Sequence, residues 1–436
     1  MIYDNLSIGA NGHLRIADYD AAILAKTFKT PLMVLDEERV RERCRLYRQA
    51  MAEAFPAGSF PLYASKALSF IRLYEVMEEE QMGVDVVSVG ELYTAMRAGF
   101  PMDRVFFHGN NKTDEDIAYG LQYGIGYFVC DSLTELAAIE AQMSGARRQK
   151  VLLRLTPGID PHTHEKINTG RIDSKFGAAI DTGQAEELLA AALKLTHIEV
   201  CGFHCHIGSQ IFDHEPFCEA VILMLRFMRQ MKERYDYMAE YLNLGGGMAV
   251  PYTKDDANID YAANIAVIGS LLRDECARLE MEIPKILMEP GRSIVADAGT
   301  TIYTVGTTKE IPGYKSYVSV DGGMTDNPRY ALYQSSYTIL PATRMLEERS
   351  MTYTVAGRCC ESGDLLQEAV ALPPMRRGDL LAVLTTGAYN YAMASNYNRL
   401  PRPAVVMLGR HRAYLAVRAE SLDNLTVNDV SERIGR

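Results

Sequence analysis

A chain of 436 residues has room for two domains, or for a barrel plus a smaller domain, and 48% hydrophobic residues is ordinary for a globular protein. Its formal charge of -11 argues against nucleic acid or an anionic membrane as partner, because either surface would repel it. There is no basic start followed by an apolar run, and no segment approaches about eighteen uninterrupted apolar residues, so the cytoplasm is the expected location. Eight cysteines (Cys44, Cys130, Cys201, Cys205, Cys218, Cys276, Cys359 and Cys360) are scattered without metal-ligand spacing and read as reduced thiols.

In chain order, residues 1–35 stand outside the repeating pattern that follows. From about 36 to 300 one unit recurs: a short β-rich apolar run, a polar or Gly-containing junction, then a helical stretch. The runs are 60–64, 83–88, 104–108, 127–130, 151–155, 199–206, 241–244 and 285–288. Strands alternating with helices pair in parallel, and eight such units close into a (β/α)8 TIM barrel with its active site at the strands' carboxyl ends. Among the helices, 219–240 carries Leu223, Met224, Phe227, Met228, Met231 and Tyr235 on one face, expected to pack in the core, and 186–195 is rich in Ala and Leu. After 300 the texture changes: 302–307, 317–320, 352–355, 380–384, 405–408 and 413–417 are β-rich and separated by turns. The expected plan is α/β, with a barrel over 36–300 and a mostly β C-terminal domain over 301–436, sandwich-like or barrel-like, that also takes in the segment 1–35.

The strand ends carry the chemistry. Lys66 follows the first barrel strand, where a lysine that loses its proton easily can bond covalently to an aldehyde. Asp85, Ser88 and Glu91 follow the second; Ser88 with Glu91 three residues on fits a helix cap, and Asp85 can support Lys66. At the sixth, His204 and His206 stand two apart and so share a strand face. They suit either a metal pair or an imidazole stacked on an aromatic cofactor, with Ser209 reaching a phosphate, and either histidine alone also suits a plain core position. Gly245, Gly246 and Gly247 end the seventh strand and allow backbone amides to approach an anion, or simply form a tight turn. The eighth ends in Glu289-Pro290-Gly291-Arg292: the carboxylate can accept a hydrogen bond from a protonated ring nitrogen and Arg292 can fork onto an anion, or the two form a rim salt bridge. In the β-domain, Cys359, Cys360 and Glu361 sit in a turn-prone stretch and Tyr389 and Tyr391 in a glycine-led one, without zinc spacing.

Taken in order, Tyr63-Ala-Ser-Lys66-Ala67, the run from His204 to Gln210, Gly245–Gly247, Glu289-Pro-Gly-Arg292, Cys360-Glu-Ser-Gly-Asp364 and Gly387-Ala-Tyr389 resemble the alanine-racemase-fold pyridoxal-phosphate decarboxylases over nearly the whole chain. Phe107-His-Gly-Asn-Asn-Lys112, Thr169-Gly170 with Ser174-Lys-Phe-Gly177, and Arg329 to Tyr333 resemble the diaminopimelate branch more than the ornithine branch, with Tyr330 a departure where a proline is expected. The resemblance implies pyridoxal 5'-phosphate as cofactor and a homodimer with shared active sites. It makes Lys66 the lysine that holds the aldehyde and His206 the ring-stacking histidine. Ser209, Gly245–Gly247, Gly291 and Arg292 become phosphate contacts and Glu289 the ring-nitrogen partner. Arg292, Arg329, Tyr333, Glu361 and Tyr389 become substrate contacts, Tyr389 also lying near the cofactor, and Cys360 the acid that protonates the product from the other subunit. The implied reaction is decarboxylation of meso-2,6-diaminopimelate to L-lysine. A same-fold decarboxylase of carboxynorspermidine, ornithine, lysine or arginine, a catalytically silent regulatory homologue, and a metal-dependent barrel hydrolase remain alternatives.

Overall fold

The computed structural model describes residues 3–159 and 174–430. Their chain divides into two compact units, one of Arg41–Val250 with Ala257–Ile294, the other of Met1–Val40, Pro251–Asp256 and Val295–Arg436.

The first unit is a closed parallel barrel. Its strands are β1 (Phe60–Ala64), β2 (Gly83–Val86), β3 (Val105–Phe107), β4 (Tyr127–Cys130), β5 (Gln149–Thr156), β6 (Ile198–His204), β7 (Tyr241–Asn243) and β8 (Lys285–Met288). Each pairs with the next in sequence, and β8 returns to β1 through the register Leu287 with Phe60 and Met288 with Pro61. A closed sheet removes exposed edges, and the interior is filled with side chains. Leu62, Phe106, Tyr127, Val129, Leu152, Cys201, Tyr241 and Leu287 form that filling, with the Phe106 and Tyr127 rings stacked at 4.3 Å between centroids. Each such side chain contributes about 1.5–3 kcal/mol by leaving water. Close packing also explains Gly202, where a Cβ would come within 2.0 Å of the Tyr241 carbonyl oxygen on the neighbouring strand.

The same junction recurs after β2 and β4. Ser88 Oγ accepts from the Glu91 N–H at 3.2 Å while Glu91 Oε2 accepts from the Val87 N–H at 2.8 Å. Ser132 Oγ likewise accepts from the Glu135 N–H at 3.3 Å, and Glu135 Oε2 from the Asp131 N–H at 2.9 Å. Both satisfy backbone donors that a helix start leaves open. The Met-rich helix runs Glu215–Tyr235, with Met224, Phe227, Met228 and Met231 buried and Leu223 half-buried. It ends five residues earlier than the sequence suggested, because Asp236 turns left-handed at φ 52. Tyr235, expected in the core, is exposed on the last turn and donates its hydroxyl hydrogen bond to Glu186. β6 similarly stops at His204, leaving His206 in the loop beyond it.

The second unit is mostly β. Its spine is the long strand Gly299–Ile311, which pairs with Lys315–Val320 at one end and with Leu380–Leu384 and Leu32–Asp36 at the other. Leu32–Asp36 in turn pairs in parallel with Ala404–Leu408, so the N-terminal segment supplies a fully buried strand. Beyond residue 300, two strands escaped the sequence reading, Ile339–Pro341 and the eight-residue Leu365–Leu372, and in the N-terminal segment Leu6–Ile8, Leu14–Ile16, Tyr19–Asp20 and Leu32–Asp36 did as well.

Candidate cofactor and active site

The carboxyl ends of the barrel strands gather the residues singled out in the sequence. Lys66 sits in the single turn after β1 with its side chain 37% exposed, and its Nζ donates to Oδ2 of the fully buried Asp85 at 3.2 Å. Asp85 Oδ1 has no hydrogen-bond partner, so this carboxylate has capacity to spare. His206 is half-buried, and desolvation, with the Lys66 and Arg154 charges, holds its imidazole well below the usual range, hence neutral. A neutral, flat ring is what an aromatic cofactor can stack on. Gly245 passes so close that a Cβ there would lie 2.8 Å from His206 Nδ1, and its φ of +68 favours glycine. Ser209 Oγ accepts from Arg292 Nη2 at 3.0 Å and from Nε at 3.3 Å, a hydroxyl and a guanidinium placed together at the ends of β6 and β8.

Glu289 lies at the end of β8, buried. Its Oε1 stands 2.8 Å from His108 Nε2 and accepts from Asn243 Nδ2 at 2.7 Å; its Oε2 is 3.3 Å from His204 Nε2. Burial works against its charge, but the two imidazoles outweigh it and hold the carboxyl well below the usual carboxylate range. Among the described residues, His108, His204 and Glu289 form the group compact enough for a metal, with ligand atoms within 4.8 Å of one another. The pair His204 and His206 does not belong to such a group. His204 Nε2 stands within hydrogen-bond reach of Glu289 Oε2 at 3.3 Å, while His108 Nε2 lies 2.8 Å from Oε1 as an ion-pair contact without hydrogen-bond alignment.

His108, Asn243 and Arg154 were not assigned a role in the sequence. The signals were there: His108 opens the His-Gly-Asn-Asn-Lys run at the end of β3, and Arg154 is a lone charge inside the apolar Leu152-Leu153-Arg154-Leu155. Thr169 and Gly170 lie outside the described residues. Ser174 to Gly177 are described, and the Gly177 N–H donates to Asp131 Oδ2 at 2.8 Å.

The remaining candidates belong to the β unit. There the Arg329 guanidinium lies 5.2 Å from the Tyr333 ring and 5.8 Å from that of Tyr389, a buried cation between two aromatic faces. Its Nε is buried without a hydrogen-bond partner. Tyr389 holds a left-handed φ of 59, strained for a residue with a Cβ. Cys360 is exposed on a loop organised by Asp364, whose Oδ2 accepts from the Cys359 N–H at 2.7 Å and Oδ1 from the Met324 N–H at 2.6 Å. The Cys360 N–H donates to Asn398 Oδ1 at 2.7 Å.

Glu91 titrates near neutrality beside the Lys66 and Asp85 pair. Burial raises its carboxyl from 4.5 to about 7, against the Val87 N–H and the Lys66 charge, and Asp85 adds to the rise. Between 4.5 and about 7 the folded chain keeps a proton that the unfolded chain releases, so this stabilisation is lost as pH rises through 7. Glu91→Gln cannot ionise and keeps an acceptor for Val87. Its thermal stability relative to wild type should improve as the buffer moves from about pH 5 to about pH 8, by at most about 3 kcal/mol. A difference that stays constant over that range would contradict this.

Lys66, a phosphate-sized pairing of Arg292 with Ser209, a neutral ring-facing His206 and an ionised Glu289 fit a phosphorylated pyridine aldehyde. The comparisons agree. Residues 37–296 match the family of pyridoxal-dependent decarboxylases, pyridoxal binding domain. Diaminopimelate decarboxylase of Bacillus subtilis is 44% identical over 98% of this chain and 97% of the relative, and that of Staphylococcus aureus 42% identical over 96% and 98%. The chain belongs to the diaminopimelate decarboxylase family. Among solved structures, that of diaminopimelate decarboxylase from M. jannaschii in co-complex with L-lysine superposes with a TM-score of 0.89, at 33% identity over 98% of each chain. The fold is therefore that of this family, a TIM-type barrel with a mostly β second domain, and the cofactor implied is pyridoxal phosphate. Among the described residues no helix is long and apolar enough to cross a membrane.

Proposed function

We propose that this chain decarboxylates meso-2,6-diaminopimelate to L-lysine and carbon dioxide, the last step of lysine synthesis, as a cytoplasmic homodimer. The observation that carries this reading is that nearly the full chain, and not only its cofactor-binding part, matches diaminopimelate decarboxylases at up to 44% identity.

Lys66 would hold pyridoxal phosphate at its aldehyde through the amine, with the nearby Asp85 carboxylate steadying the lysine's charge. Ser209, Arg292, Gly291 and the Gly245–Gly247 turn hold the phosphate, and His206 covers the ring face. Glu289 would face the ring nitrogen as its hydrogen-bond acceptor and favour its protonated form. When bound, the cofactor supplies the sink for the electron pair left as the bond to the departing carboxyl breaks. Cys360 of the partner subunit then gives its thiol proton to the α-carbon. Arg329, Tyr333, Tyr389 and the partner subunit's Glu361, with Arg292, recognise the substrate, and reading both charges at its far end excludes ornithine and lysine, which lack the distal carboxylate.

The test is turnover by cofactor-loaded protein of meso-diaminopimelate beside ornithine, lysine, arginine and carboxynorspermidine. A site built around a charged group rejects analogues lacking it by roughly 10^4, so one substrate should dominate kcat/KM by about that factor. Turnover of another member of the panel instead would transfer the assignment to that substrate.

A further inference from the structure

Glu289 is held more elaborately than a lone ring-nitrogen acceptor requires. Three strand ends converge on it, from β3, β6 and β7, and His108, His204 and Glu289 are each at least 95% buried. We propose that His108 and His204 are positioning residues for Glu289, one at each carboxylate oxygen, so that a bound pyridine ring meets a carboxylate that is ionised and fixed in one orientation. This rests on the reading above that Glu289 faces the ring nitrogen of pyridoxal phosphate.

The valence of the carboxylate makes the case. Each oxygen has two acceptor sites. Oε1 accepts from Asn243 Nδ2 at 2.7 Å and has His108 Nε2 set against it at 2.8 Å as an ion-pair contact, and Oε2 faces His204 Nε2 at 3.3 Å. Oε2 keeps an acceptor site open for a ring nitrogen. His204 Nδ1 is buried with no hydrogen-bond partner, so the ring proton belongs on Nε2, where it meets the carboxylate. Burial pushes the His204 imidazole down to about 4, which leaves it a neutral donor to the carboxylate.

Both histidines are themselves immobilised. The His108 N–H donates to the Val86 carbonyl at 2.8 Å, and the loop beyond it is clamped by the buried Lys112, whose Nζ donates to Gly109 O at 2.9 Å, Val129 O at 2.7 Å and Glu135 Oε1 at 2.6 Å. His204 is in register with Asn243 on one side and Arg154 on the other, and its ring meets that of His108 edge to face at 4.8 Å. Asn243 in turn accepts from the Gly245 N–H at 2.9 Å, and the Glu289 N–H donates to Gly245 O at 2.8 Å, tying the cluster to the glycine turn. This gives the His-Gly-Asn-Asn-Lys run a purpose: its lysine fixes the loop and its histidine fixes Glu289.

The test compares two ligands on the full-length protein: pyridoxal phosphate, and its 1-deaza analogue, in which carbon replaces the ring nitrogen. Dissociation constants are measured by fluorescence for wild type, His108→Leu, His204→Leu, His108→Gln, Glu289→Gln and the double variant His108→Leu/Glu289→Gln. Loss of a hydrogen bond to a charged group should weaken pyridoxal phosphate roughly tenfold in each leucine variant while changing the analogue far less. His108→Gln, which restores an N–H donor, should recover most of the preference, and His108→Leu should add nothing in the Glu289→Gln background. Equal weakening of both ligands would reduce the histidines to packing and overturn the inference. So would a wild-type preference that survives in both leucine variants. A wild type that binds the two ligands equally would overturn the reading of Glu289 itself.

Discussion

Lys66→Ala should abolish decarboxylation, by on the order of 10^4-fold or more in kcat, while leaving the protein folded. The side chain is partly exposed and paired with Asp85, so its removal opens no core cavity; it does leave a buried carboxylate without its cation. Part of the lost stability should return in Lys66→Ala/Asp85→Asn, since burying an unpaired charge is the costly event. The chemical signature is independent of rate. Borohydride reduction of the cofactor-loaded wild type should attach the cofactor to the peptide containing Lys66, and the variant should take up none. Attachment at any other lysine would displace Lys66 from the centre of the mechanism.

Cys360→Ala should lower kcat by about 10^2–10^4, the range for removal of a positioned acid, with little effect on cofactor binding. The more telling experiment mixes it with Lys66→Ala. If Lys66 and Cys360 of one site come from different subunits, a mixed dimer has one site carrying both defects and one carrying neither. Random reassortment makes half of the dimers mixed, so about one quarter of wild-type activity should return from two inactive preparations. No recovery after verified subunit exchange would place both residues of each site on one chain and remove the shared-site reading. The exposure of Cys360 on a loop braced by Asp364 and Asn398 is what such a role calls for.

Much of this protein was readable before any fold was known. The eight barrel strands announce themselves as β-rich runs of four to eight residues because a parallel barrel buries both faces of every strand, and burial is written in composition. The site residues at strand ends follow from the same logic, since the chemistry of a barrel sits where the strands stop. The capping of the following helix by Ser88 was legible because it involves residues three apart.

What escaped depended on partners distant in sequence. Leu365–Leu372, reading Leu-Leu-Gln-Glu-Ala-Val-Ala-Leu, is rich in helix formers, yet it is a strand because it pairs antiparallel with Met351–Ala356, accommodating Ala369 at a left-handed φ of 55. Tyr235 matched the apolar face of its helix by spacing, but the last turn runs past the core, so the ring is exposed and its hydroxyl finds Glu186. Local periodicity was enough for the barrel and the mostly β second domain, and a residue's own chemistry was enough to single out Lys66 and the strand ends as candidates. Only the tertiary structure decided that His108, His204 and Asn243 converge on Glu289: they lie on strands 3, 6 and 7, they reach the eighth only when the sheet closes, and no local pattern encodes which strand end faces which across a barrel.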